Sequence, residues 1–141
     1  MFFRNLFFYT LPEISAVTNE ALESALQAAA LRPVGALAMQ SRGFVPPLGE
    51  SGALLQGIEN SLWLCLGGED RILPAAVVQR ECQLKIAELE QAKGHPLGKR
   101  ARAQLKQETL DTLMPRAFVK PSRLNAIINR KRGFIAIDTS S

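Results

Sequence analysis

The sequence predicts an α+β fold: a mixed or antiparallel sheet with one N-terminal helix and an antiparallel helix pair, ending in a β-hairpin. Three observations carry this expectation. Apolar runs of strand length stand near both ends of the chain, as "NLFFYTL" and as "NAII" followed by "FIAID". Two neighbouring segments, Pro74 to about Ala92 and about Lys99 to Leu113, read as helices joined by the short breaker "KGHPLG". The elements are segregated, without the βαβ alternation of a parallel sheet.

Taken in order, "NLFFYTL" is aromatic and apolar without polar alternation, which predicts a strand covered on both faces. In "TNEALESALQAAAL", Thr18 or Asn19 can cap a helix and Glu20 and Glu23 favour its positive end. Leu22, Leu26, Ala29 and Ala30 form its apolar stripe, and Pro33 and Gly35 end it. "GFVPPLGESG" reads as a stiff loop: Gly43 permits positive φ, Pro46–Pro47 impose extended geometry, and Phe44 and Val45 anchor it on the core. "SLWLCLGGEDRILP" predicts a strand, a turn at Gly67–Gly68 and a short return to Pro74, a residue tolerated in the first turn of a helix.

In that helix Val78, Cys82, Ile86 and Leu89 recur at spacings of four and three, an amphipathic pattern. The second helix stops before Pro115. After "PRAFVKPSR", the two final apolar runs meet around "NRKRG", where Asn129 and Gly133 are the turn-tolerant residues of a hairpin.

A chain of 141 residues fits one domain and can bury a core, and its 47% apolar and 21% charged residues are ordinary for a globular protein. No apolar run approaches the ~20 residues that a membrane helix needs. The hydrophobic start is split by Arg4 and stopped by Pro12 and Glu13, which suits a strand better than a signal peptide. Cys65 and Cys82 are far apart in apolar contexts, the expectation for reduced core thiols in the cytoplasm.

The net charge of +4 is unevenly spread. Residues 1–92 carry six Lys/Arg and ten Asp/Glu, a net −4. Residues 93–132 carry eleven Lys/Arg against Glu108 and Asp111, a net +9. Such segregation suggests a surface built for a polyanion.

Catalytic chemistry is hard to place, and the chain does not read as an enzyme. The single histidine, His95, sits in a connecting turn without Cys, Asp or Glu at ligand spacing. The cysteines form no CxxC pair, so zinc is not expected. No nucleotide, cofactor or hydrolase motif is present. Glu69–Asp70 reads as a solubilising turn rather than an acid/base pair.

The cations are more informative. Lys99, Arg102 and Lys106 fall at i, i+3 and i+7 of the second helix, on one face. They are followed by Lys120, Arg123 and the triplet Arg130, Lys131 and Arg132, with few carboxylates nearby to neutralise them. No recognition helix or zinc module for base reading is evident. Single-strand binders stack bases on exposed aromatics, whereas most aromatics here lie in core-like strands, Phe134 alone adjoining the basic turn. Sequence-insensitive contact with a duplex backbone matches best.

"RNLFFYTL", "GFVPPLG", "RILPAAVV" and "LMPRAF", in this order, resemble the recombination-associated protein RdgC family. The likeness covers essentially all of residues 1–141 and corresponds to the N-terminal half or so of a typical member. The resemblance implies a bacterial, cytoplasmic, nucleoid-associated protein that binds double-stranded DNA and restrains recombinase-driven strand exchange. It also implies a ring-shaped homodimer with a positively charged hole, and a place for Phe118 at a subunit contact with Arg116 beside it. Ordinary core is the alternative for Phe118. Relatives continue for a long C-terminal half, and their last hairpin often has a Trp and an Asp where this chain has Ile127 or Ile128 and Asn129. A dimerisation or protein-interaction module, with DNA held mainly by that other half, is therefore the second reading.

Overall fold

The computed structural model describes residues 3–140. In chain order its elements are β1 (Leu6–Thr10), α1 (Asn19–Ala28), β2 (Gln40–Val45), β3 (Leu55–Ile58), β4 (Ser61–Ile72), α2 (Ala75–Lys93), α3 (Lys99–Leu113), β5 (Phe118–Asn129) and β6 (Phe134–Asp138). The fold is α+β, as expected. The strand order is β1-β6-β5-β4-β2, with β3 paired to β4, and the β1–β6, β3–β4 and β5–β6 ladders are antiparallel. The chain divides into two compact units, residues 1–33, 41–69 and 121–141 forming one and residues 34–40 and 70–120 the other.

In the first unit, Leu26 of α1 packs with Leu54, Leu62, Leu64, Ala126 and Ile128 in a buried cluster. Burying a leucine side chain stabilises by about 2 kcal/mol. Of the two candidate caps, Thr18 is the one used: its Oγ1 accepts the Ala21 N–H at 3.1 Å. One turn later, Glu23 reaches across to β3, where its carboxylate accepts the N–H groups of Leu54 at 2.9 Å and Leu55 at 2.8 Å. Burial pushes the Glu23 carboxyl up, but the hydrogen bonds from Leu54, Gln27 and Leu55 outweigh it and hold the group below the ordinary value of 4.5.

A carboxyl depressed by folding stabilises the native state fully above its unfolded value, and that contribution disappears as pH falls through the folded value. Glu23→Gln is therefore expected to lose about 1 kcal/mol at neutral pH, with the gap to wild type closing as pH drops below about 4.5. Urea unfolding of both proteins across that range checks this. A gap independent of pH would contradict it.

In the second unit, α2 packs on α3. Val78, Cys82, Leu97, Leu105 and Met114 are buried, and the fully buried Thr109 hydroxyl donates to the Leu105 carbonyl at 2.7 Å. Arg71 ties this unit together by donating to the carbonyls of Ala38 (3.1 Å), Met114 (2.8 Å) and Gly35 (3.1 Å). Cys65 and Cys82 are free and buried. Among the described residues no helix is long and apolar enough to cross a membrane.

Four local expectations are corrected. β1 is not covered on both faces: it is the end strand of the sheet and all five residues are exposed. An unbroken apolar run reports side-chain chemistry, not what covers it. The Gly67–Gly68 turn is absent, because β4 runs straight through it as a twelve-residue strand. A Cβ at Gly67 would stand 2.6 Å from Val45 Cγ1, and one at Gly68 2.5 Å from Ser122 Oγ, so the glycines admit neighbouring chains instead of turning.

The stretch expected as a loop from Gly43 contributes Gly43–Val45 to β2. Gly43 has no positive φ; a Cβ there would lie 2.3 Å from the Leu31 backbone nitrogen. That approach also explains why α1 ends at Ala28, before Pro33. The chain leaves the helix so that Leu31 N–H donates to the Phe44 carbonyl at 2.9 Å and Phe44 N–H to the Ala29 carbonyl at 2.9 Å. Phe44 then packs against the buried cluster, as expected of the anchor.

Candidate nucleic-acid interface

The basic tip is built by its two turn residues. The Asn129 Oδ1 accepts the Arg132 N–H at 2.9 Å, and the Asn129 carbonyl accepts the Gly133 N–H at 2.8 Å. Gly133 has φ 68°, the left-handed region where glycine is unstrained. Its carbonyl accepts the Leu11 N–H at 2.7 Å, so the tip is fastened to the end of β1.

Within this frame the triplet splits. Arg130 folds inward and donates to the Val17 carbonyl and the Asn19 side-chain oxygen, at the start of α1. Lys131 and Arg132 are exposed, and neither side chain has a hydrogen bond or ion pair among the described residues. They border an open cleft of about 310 Å³ with residues 10–15, in which Glu13 is the single carboxylate. The tip is thus rigid in its backbone and unneutralised at its two outermost cations.

On α3 the expected stripe is also divided. Arg102 is engaged: its guanidinium meets Glu90 Oε1 at 2.8 Å and donates to the Leu97 carbonyl at 3.1 Å. The same carboxylate oxygen accepts the Leu97 N–H at 3.0 Å, so the cluster clasps the turn between α2 and α3. The expectation that few carboxylates would neutralise these cations fails at Arg102, because Glu90, twelve residues earlier, returns to it through the helix hairpin. Lys99 and Lys106 remain exposed, without such partners among the described residues. Lys106 also borders a largely apolar groove of about 640 Å³ along α2 and α3, lined by Val78, Cys82, Ile86 and Leu110 among others.

Arg123 donates to the Pro46 carbonyl, holding the Pro46–Pro47 segment to β5. Lys120 is exposed. Lys99, Arg102, Lys106 and Lys120 belong to one compact unit, and Arg123, Arg130, Lys131 and Arg132 to the other. Arg116 is exposed, and Phe118 is 84% exposed, which removes the ordinary-core alternative for it within this chain. Phe7, Phe8 and Tyr9 are exposed as well, against the expectation of core-like aromatics. Phe2 lies outside the described residues.

His95 is exposed, its Nδ1 lying 3.1 Å from the Pro96 carbonyl oxygen. Among the described residues no group of three or more His, Cys, Asp or Glu side chains is arranged to hold a metal ion. The sequence reading missed the carbonyl acceptors that occupy Arg102, Arg123 and Arg130. No periodicity announces them, since each acceptor is brought near by the fold.

Comparison with known proteins gives a consistent result. A family model described as "Putative exonuclease, RdgC" matches residues 1–141. The Recombination-associated protein RdgC of Stenotrophomonas maltophilia is 46% identical over 143 aligned positions, covering 100% of this chain and 47% of the relative. Those of Xanthomonas oryzae pv. oryzae and Xylella fastidiosa are 44% and 45% identical, with the same coverage. The chain therefore spans about half the length of the curated relatives it matches. With the family model matching all 141 residues of the chain and relatives this similar, the chain belongs to the RdgC family.

Proposed function

We propose that this chain binds double-stranded DNA through its phosphates, without sequence preference and without catalysing a reaction on it. In this reading residues 1–141 act as one RdgC-like region of a cytoplasmic, nucleoid-associated homodimer that restrains recombinase-driven strand exchange. The observation that carries the reading is a set of five exposed cations, Lys99, Lys106, Lys120, Lys131 and Arg132, without side-chain partners among the described residues. Like charges left unpaired on a fold repel one another, and a polyanion relieves that repulsion. Arg102, Arg123 and Arg130 hold the backbone that presents them. The relatives are named for recombination, which agrees with DNA as the partner.

Fluorescence anisotropy on two duplexes of unrelated sequence tests this. Both should bind with similar affinity at low salt. If all five cations meet phosphates, the log–log salt slope should approach roughly −4.5, at about 0.9 per phosphate. No binding at low salt, or a large preference for one duplex, would sink the proposal. Tighter binding to single strands would redirect it toward the exposed aromatics of β1.

A second reading has its own support. Phe118 projects from the unit that also carries the apolar α2–α3 groove, so this unit could serve chiefly in assembly, with Arg116 and Phe118 at a subunit contact. Phe118→Ser separates the readings. Loss of the dimer with duplex affinity kept supports two separable functions, and loss of both makes assembly a precondition of binding.

A further inference from the structure

Lys131 sits on the basic tip between two arginines and borders two clefts. It shares the cleft of about 310 Å³ with Arg130, Arg132 and residues 10–15. It also borders a second open cleft, of about 410 Å³, which the β3–β4 turn lines with Glu59, Asn60 and Ser61. All of these residues belong to one compact unit.

Glu59 is an unusual residue for that turn. Ile58 pairs with Ser61, so the turn has two residues, and Glu59 stands at φ 49°, in the left-handed region. Glycine or asparagine takes this conformation readily, whereas other residues bear a cost of roughly 1–2 kcal/mol. Such strain gathers at functional sites. The Glu59 side chain is exposed and has no hydrogen-bond or ion-pair partner among the described residues. As a turn former it offers nothing that asparagine would not. What it adds is a free carboxylate in a cleft that Lys131 borders.

We propose that Lys131 is a site of acylation by acyl phosphates, with Arg132 holding the phosphate of the donor and Glu59 taking the ammonium proton. The chemistry needs these three groups. An ammonium has no lone pair, so its nitrogen reacts only after a base removes a proton. An acyl phosphate is a small dianion of the kind that a guanidinium binds through paired N–H groups. Arg132 is the free guanidinium beside the lysine, since Arg130 is bound to Val17 and Asn19. Glu13 is the single carboxylate in the cleft that Arg132 borders, and three cations outnumber it there.

In the reaction, Lys131 Nζ passes one proton to Glu59 and attacks the acyl carbon. The N–C bond forms and the C–O bond to phosphate breaks. Inorganic phosphate departs with the electron pair of that bond and takes the second proton from the nitrogen. The product is a neutral amide, so the tip loses one positive charge. Lys106 is the contrast within the chain: it is exposed too, but its groove is lined by no described carboxylate.

The test incubates the full chain with acetyl phosphate and follows each lysine by peptide mass spectrometry. Lys131 should be acetylated roughly tenfold faster than Lys99, Lys106 or Lys120, and urea should abolish the difference. Glu59→Gln and Arg132→Gln should each slow Lys131 by roughly fivefold and leave the other three lysines unchanged. Those three rates, with circular dichroism, show that the variants fold. Acetic anhydride is an acyl donor without a phosphate, so with it the dependence on Arg132 should vanish while that on Glu59 stays. Lys131 reacting no faster than the other lysines, or equally fast in either variant, would overturn the proposal.

The acylation does not rest on the DNA reading above, but its consequence does. Loss of the Lys131 charge should reduce the magnitude of the duplex salt slope by about 0.9. A slope unchanged after full acetylation would overturn this switch, together with the duplex contact of Lys131, whatever the rates show.

Discussion

Replacing Lys131 and Arg132 together by glutamate should weaken duplex binding by roughly 100-fold at low salt and reduce the magnitude of the salt slope by about 1.8. Two attractions to phosphate are lost and two repulsions gained. Each is worth about 1 kcal/mol at 4 Å in water before screening, and 1.4 kcal/mol is tenfold in affinity. The fold should be unaffected, since both side chains are exposed and the tip is held by the Asn129 side chain and by backbone bonds. Arg130 makes the informative contrast. Its guanidinium fastens the tip to the start of α1, so Arg130→Ala should lower stability by about 1–2 kcal/mol. Anisotropy titrations at several salt concentrations, paired with urea unfolding, separate the two effects. Unchanged affinity in the double variant would move the DNA contact elsewhere on the chain.

Gly43→Ala should be among the most damaging single-methyl changes, costing about 3 kcal/mol and lowering the melting temperature by roughly 10 °C. The added Cβ would lie 2.3 Å from Leu31 N, 2.4 Å from Leu31 Cα and 2.6 Å from the Ala30 carbonyl carbon. All three are backbone atoms, held in place because Leu31 N–H donates to the Phe44 carbonyl and Phe44 N–H to the Ala29 carbonyl across this crossing. No rotamer change can relieve the overlap. Gly57→Ala is the control, since its Cβ would meet nothing within 4 Å. Thermal unfolding of both variants decides the matter: equal melting temperatures would mean that the crossing relaxes at little cost.

The elements were legible where local chemistry is decisive. The bounds of α2 and α3 follow from Pro74, from the glycines and proline of "KGHPLG", and from Pro115, each acting within a few residues of itself. The hairpin tip was legible in the same way, from Asn129 and Gly133. The strand status of Gly43–Val45 and of Gly67–Gly68 was not. There glycine serves close approach rather than a turn, and a single sequence writes both with the same letter.

The cationic surface was legible as a list of charges but not as a list of available charges. Spacing placed Lys99, Arg102 and Lys106 on one face of α3, yet it could not foresee that Glu90 would claim the middle one. Nor could it foresee that Arg123 would be spent on Pro46, or Arg130 on Val17.

By itself the sequence determined the three helices and the final hairpin, the turn chemistry of the basic tip and the concentration of net charge +9 in residues 93–132. It also carried the family, which the match over residues 1–141 bears out. Tertiary structure alone decided that β1 is an open edge, that Gly43 admits a crossing backbone, and which cations stay free for a partner. The physical reason is range. Capping, turn and helix signals act over a few residues and leave a pattern, whereas an arginine bound to a carbonyl 113 residues away leaves none.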